Sequence, residues 1–129
     1  MEIYDPMQAP DPEGWLALDE SERIALAADY HRRMRIPLPQ ARRQAHAAAH
    51  ATVETQIAMA DETPVAAHAE RLMAEGLDRH ETIHAIGAVL LGVVHDIATD
   101  EVDEQTDVSE LYYARLETLT PESWRRGDW

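Results

Sequence analysis

Six of the seven histidines in this chain fall between positions 46 and 95, and their spacing is that of metal ligands. His46 and His50 are four residues apart, so on a helix both rings stand on one face and can reach a single ion. On a wheel of 100° per residue with Val53 at zero, His46 falls at about 20°, Ile57 at about 40° and His50 at about 60°. Both imidazoles thus share the apolar stripe, with Glu54 at its edge near about 100°. The run His80-Glu81-Thr82-Ile83-His84 is a complete H-E-x-x-H, the spacing that turns two imidazoles toward zinc with a carboxylate beside them. It also contains one E-x-x-H, Glu81 to His84, as in carboxylate-bridged di-metal bundles.

If the two helices pack together, four imidazoles converge with two carboxylates beside them. The expected ligand set is His46, His50, His80 and His84, with Glu54 or Glu81 completing or orienting the shell. Imidazole with carboxylate suits a transition metal ion (Zn, Fe, Mn, Ni or Cu) and disfavours Ca and Mg. Three alternatives stand beside this. The histidines can form a hydrogen-bonded polar core satisfied by Glu54, Gln56 or a backbone carbonyl, in a non-enzymatic interaction module such as a homodimer. Glu81 can be the capping-box partner of Asp78. A small metallohydrolase would use Glu81 as general base toward a metal-bound water. His31 reads as a satisfied core histidine, with ligation as the alternative, and His68 and His95 sit at stripe edges.

The elements that must position these rings are helical. Residues 1–18, with Pro6, Pro10 and Pro12, read as an extended lead-in from which Trp15, Leu16 and Leu18 fold back onto the body. A first helix is expected from Asp19, boxed by Glu22, to about Arg35, stopped by Pro37, with Ile24, Ala27, His31 and Met34 inward. A second runs from Pro39 to about Ala60. A third opens at Thr63-Pro64 and closes at Glu75-Gly76. A fourth runs from Arg79 to about Ile97, capped by Asp78, with Ile83, Ile86, Leu90, Val94 and Ile97 as its stripe. Gly87 and Gly92 inside it suggest close approach of the second helix, since an interior Gly costs about 1 kcal/mol relative to Ala. An acidic connection at 98–106 leads to a fifth helix near Asp107–Thr118 and a final turn at Thr120-Pro121 to Trp124. Trp15, Trp124, Tyr112 and Tyr113 supply core or interface area. No sustained strand alternation occurs, so the expected fold is all-α, a single domain of four to five helices over 1–129.

Composition narrows the function further. The 129 residues contain neither Cys nor Lys, which excludes disulfides, thiolate zinc sites, Schiff-base chemistry and a P-loop. A net charge of −14 argues against duplex nucleic acid and anionic membranes as partners. Met1–Glu13 is acidic without an apolar h-region, and the apolar run Ala85–Val94 is short for a bilayer, so a cytoplasmic location is expected. Five arginines, Arg32, Arg33, Arg35, Arg42 and Arg43, cluster with no acid among them. They read as partners for the acidic second half of the chain, with an anion or RNA patch as the alternative.

The chain resembles a family of small all-helical bacterial proteins, a domain-of-unknown-function family, over nearly its whole length. The likeness rests on Asp11-Pro12, Trp15-Leu16, Leu18-Asp19 and Asp29-Tyr30-His31-Arg32-Arg33. It continues through His46, His50, Val53-Glu54, Glu75–Glu81, Ile83–Gly87, Leu119-Thr120 and Trp124. Relatives carry Glu-Asn-Gln where this chain has Glu54-Thr55-Gln56. The resemblance implies that the histidine pairs are a family feature and leaves open what they bind.

Overall fold

The computed structural model describes residues 3–36 and 39–127. Among them run seven α-helices and no strand: α1 Pro12–Ala17, α2 Glu20–Arg33, α3 Gln40–Ala58, α4 Val65–Ala74, α5 Arg79–Ala98, α6 Val108–Thr118 and α7 Pro121–Arg126. A 3-10 turn, Ala60–Glu62, precedes α4. The architecture is all-α and single-domain. Pro37, expected to stop the first helix, lies outside the described residues.

Local chemistry sets most of these boundaries. Asp19 caps α2 in a full capping box with Glu22. Asp78 accepts the Glu81 N–H at 2.7 Å to start α5, and Asp107 does the same for α6 with Glu110 at 3.2 Å. Thr120 and Ser123 box α7, whose first residue is Pro121. Gly76 takes a positive φ of 119° at the end of α4, where a side chain would be strained.

The lead-in corrects the expectation of an extended segment. Asp11 accepts the Gly14 N–H at 2.9 Å and Pro12 occupies the first turn, so 12–17 is helical. A Pro at that position loses no hydrogen bond. α1 seats Trp15 in full burial, its indole N–H donating to Thr55 Oγ1 at 3.1 Å. Arg23 ties the segment down through the carbonyls of Trp15 and Leu16. Leu16 stays exposed.

α3 is the hub, packed on α1, α2, α4 and α5. Its buried Ala47, Ala49 and Ala51 keep neighbouring helices close. One apolar core gathers Val53, Leu72, Ile83, Ile86, Val89, Val93 and Leu116 between α3, α4, α5 and α6. A smaller one joins Tyr4, Trp15 and Ala51 with Ile24, Leu26 and Tyr30.

Two stripe expectations fail at helix ends. Met34 is exposed where α2 terminates, and Val94 and Ile97 are exposed along the end of α5, because the helices crossing there cover only one side. α5 has the length and mean hydropathy of a membrane span. Its apolarity is explained by the burial of Thr82, Ile83, Ala85, Ile86, Gly87, Val89 and Val93 inside the bundle. Gly87 faces α3, whereas Gly92 faces Arg115 of α6. A Cβ on Gly87 would lie 3.8 Å from Ala49 Cβ and 3.9 Å from Val53 Cγ2, ordinary contact distances. Gly87→Ala should therefore stabilise the protein by about 0.5–1 kcal/mol through helix propensity. Urea denaturation measures this, and a loss of stability would show that the α3–α5 gap has no room for a methyl group.

Candidate metal centre

Three helices deliver five imidazoles to one place. α2 contributes His31, α3 His46 and His50, and α5 His80 and His84. The i, i+4 spacing stacks each pair on the face its helix turns inward. One ring nitrogen from each of His31, His50, His80 and His84 lies within 4.8 Å of the other three. Ring centroids are 4.2 Å apart for His80–His84, 5.5 Å for both His50–His80 and His50–His84, and 4.5 Å for His31–His46. Four nitrogens about 2.0–2.1 Å from one ion stand roughly 3.4 Å apart in a tetrahedral site, so small ring rotations would close this cluster on an ion.

Hydrogen bonds fix which nitrogens are available. The Tyr4 hydroxyl donates its single proton to Glu54 Oε2. Its oxygen must therefore accept from His50 Nε2, 2.7 Å away. His50 is thereby the Nε2–H tautomer, and its bare Nδ1 is buried without a partner among the described residues. His80 Nε2 and His84 Nε2 are buried and unpartnered in the same way. His31 Nδ1 lies 2.7 Å from the Ala27 carbonyl, which can only accept, so the His31 lone pair is on Nε2. That atom is 3.0 Å from His46 Nε2, which donates to it in the absence of an ion.

Burial favours the neutral form of His46, His50, His80 and His84. Burial, followed by the charges that neighbouring imidazoles would carry, pushes His50 down to about 2 and His84 down to about 3. His46 and His80 are held below the ordinary imidazole range, first by burial and then by His31. Burial and the Glu54 charge push the Tyr4 phenol well up, so it keeps the proton it donates. Neutral imidazole is the form that ligates a metal.

Glu54 is 1 % exposed and does not face the cluster directly. Arg79 grips it with two bonds, both 2.7 Å, and Tyr4 holds Oε2 as well. Arg79 also donates to the Pro6 carbonyl at 2.9 Å, and Arg33 to the Tyr4 carbonyl at 3.1 Å. Burial opposes the Arg79 charge, but its bonds to Glu54 outweigh that and raise its pKa. The carboxylate thus acts on His50 through the phenol, a carboxylate–tyrosine–histidine chain of the kind that orients metal ligands.

Of the six expected site residues, the structure brings His50, His80 and His84 together, with His46 packed against His31 at the rim. Glu54 stands one residue removed, behind Tyr4. Glu81 lies in the first turn of α5, its N–H taken by Asp78, and does not belong to the convergent set. Gln56 points elsewhere and accepts from Tyr112 at 2.7 Å. Three participants escaped the sequence reading: Tyr4, Arg79, and His31 as a full member of the cluster. Arg79 left one clue. An arginine in the first turn of a helix opposes the macrodipole, so it needs an acid from elsewhere in the fold.

Two cavities adjoin the cluster. One of about 230 Å³ reaches His46, His50 and His84 past Ile83, Leu91 and Trp124. The other, about 380 Å³, has His31 in its wall. No family model, curated protein or solved structure matches this chain, so the chemistry of the centre is read from its own atoms.

Proposed function

We propose that this protein binds one first-row transition metal ion through His31, His50, His80 and His84, with Tyr4, Glu54 and Arg79 orienting His50. The observation that carries the reading is that His50, His80 and His84 each bury a ring nitrogen without a partner among the described residues and that these three, with His31, each bring a ring nitrogen within 4.8 Å of the others. Each such atom left without a partner costs about 1–3 kcal/mol. Three together approach the whole stability of a typical domain, about 5–15 kcal/mol. An ion offsets all three at once. An all-imidazole set favours Zn, Cu, Ni or Fe. Mn, which prefers oxygen ligands, fits less well once Glu54 is engaged by Arg79. Catalysis with Glu81 as base draws no support from the geometry, because Glu81 neither joins the cluster nor lines the two cavities beside it.

Elemental analysis of tag-free protein should find about one such ion per chain. Chelator should lower the melting temperature of the wild type, and His50→Ala or His84→Ala should abolish that response. Unaltered melting with chelator, and equal metal content in the variants, would leave a hydrogen-bonded core around trapped water as the better account. Tyr4→Phe removes the acceptor for His50 Nε2–H while keeping the ring. It should weaken metal binding about 10–100-fold, as loss of such partners does elsewhere, and a competition titration with a chromophoric chelator reads the change.

A further inference from the structure

The smaller of the two cavities beside the cluster leads to the metal centre itself. It holds about 230 Å³, and its wall joins His46, His50 and His84 to the apolar Ile83, Ala88 and Leu91. Leu91 is exposed, so the approach begins at solvent. The volume is below the roughly 300–1,000 Å³ of drug-sized sites, which suits a ligand of a few atoms. No carboxylate or guanidinium stands among the described lining residues.

Two features of the centre call for such a ligand, and both rest on the metal reading above. The first is charge. Ligating imidazoles are neutral, so an ion held by His31, His50, His80 and His84 keeps its full positive charge in a partly buried site, where an unmatched charge is costly. Glu54 does not offset it, being bonded twice by Arg79. Asp5 and Asp78 act on His80 from exposed positions, where water weakens their field, and neither lines the cavity. The second is His46. Its Nε2–H donates to His31 Nε2 at 3.0 Å, and the lone pair that accepts it is the one an ion would take. With that acceptor gone, the His46 ring remains in the cavity wall with a proton to donate, its centroid 4.9 Å from that of His84.

We propose that the bound ion takes from this cavity one small inorganic monoanion of two or three atoms, such as hydroxide, cyanide or azide, as a further ligand, with the His46 Nε2–H as its hydrogen-bond donor. The anion supplies the negative charge that the protein ligands lack. A donor aimed at its outer atom strengthens the hold, since hydrogen bonds to an ionised acceptor are the strong ones. Metal sites that keep a position open receive water or substrate in the same way. His46 thus touches the incoming ligand without ligating the metal, which agrees with its place outside the set of mutually close nitrogens.

The test loads the full chain with Co(II), counts the metal by elemental analysis, and titrates the loaded protein with sodium azide while the Co(II) d–d absorption is recorded. The spectrum should change saturably, with one azide per ion. His46→Leu should weaken azide at least about tenfold, the effect of losing one charge-assisted hydrogen bond. It should hold Co(II) at least as tightly as wild type, since the ion no longer competes with the His46–His31 bond. His46→Gln, whose amide N–H can donate, should restore most of the azide affinity. One Co(II) per chain with a spectrum that azide leaves unchanged would overturn this inference and leave the metal reading standing. So would His46→Leu holding azide as tightly as wild type. Loss of Co(II) from His46→Leu would make His46 a fifth ligand and likewise end its role as donor. A wild-type chain that takes up no Co(II) would overturn the metal reading, and this inference with it.

Discussion

Metal-free protein is expected to lose stability steeply as the pH falls from about 6.5 to about 4.5. In the folded chain burial, reinforced by the neighbouring rings, pushes His50 down to about 2 and His84 down to about 3. In the unfolded chain each titrates near about 6.5. Between those values the unfolded state binds the extra protons, so the stability of these groups is complete above about pH 6.5 and is lost toward acid. The direction is opposite to that of a histidine paired with a carboxylate. Each fully neutral buried ring contributes a slope of about 1.4 kcal/mol per pH unit. His50 supplies nearly all of its share, and His84, only part-buried, supplies less. Two pH units then remove several kcal/mol, a large part of a typical domain's total of about 5–15 kcal/mol. His46 and His80 shift the same way and add to the loss. Urea midpoints measured from pH 7.5 to 4.5 read the slope directly, and His50→Leu should flatten it. A midpoint constant across that range would mean the rings are solvated and the cluster does not exist as described.

How much of this was legible beforehand depended on how far apart the partners lie along the chain. The helix starts at Asp19, Asp78 and Asp107 are local events spanning three or four residues, and the capping pattern carries them. The histidine pairs are equally local: a period of 3.6 places His46 with His50 and His80 with His84 whatever else happens. What periodicity cannot supply is the third dimension of the site. Tyr4 bonds residues 46 and 50 positions away, and Arg79 reaches Glu54 across 25. No spacing rule connects such positions. α1 is a different lesson. Asp11-Pro12 is the same kind of cap-and-proline signal as Thr120-Pro121, which reads as the start of a turn and begins α7, yet the surrounding prolines suggest extension. Two of those prolines precede the helix and one begins it. The exposure of Met34, Val94 and Ile97 has a simpler origin: a stripe shows which face is apolar, and only packing shows how far along the helix a neighbour covers it.

Replacing Arg79 by methionine is expected to cost about 3–5 kcal/mol, the penalty for leaving a buried carboxylate without its counter-charge. Glu54 is 1 % exposed, and Arg79 provides the only cation that bonds it among the described residues. A favourable pair energy is not the reason. Desolvating two charges consumes most of what their attraction returns, so the native pair has little net worth against apolar groups of similar size. The asymmetry between breaking and replacing the pair makes the double variant informative. Glu54→Leu with Arg79→Met should recover most of the stability lost by Arg79→Met alone, giving a coupling of several kcal/mol in a double-mutant cycle. Its stability should nonetheless fall short of wild type, because Tyr4 then has no carboxylate to receive its proton and Pro6 loses the bond from Arg79. The same double variant separates fold from function. With the carboxylate gone, the phenol no longer fixes His50 as the Nε2–H tautomer, so metal affinity should drop even where the urea midpoint has been restored. Recovery of both together would reduce the Glu54–Tyr4–His50 chain to packing, and recovery of neither would mean that the ion pair supports the fold itself.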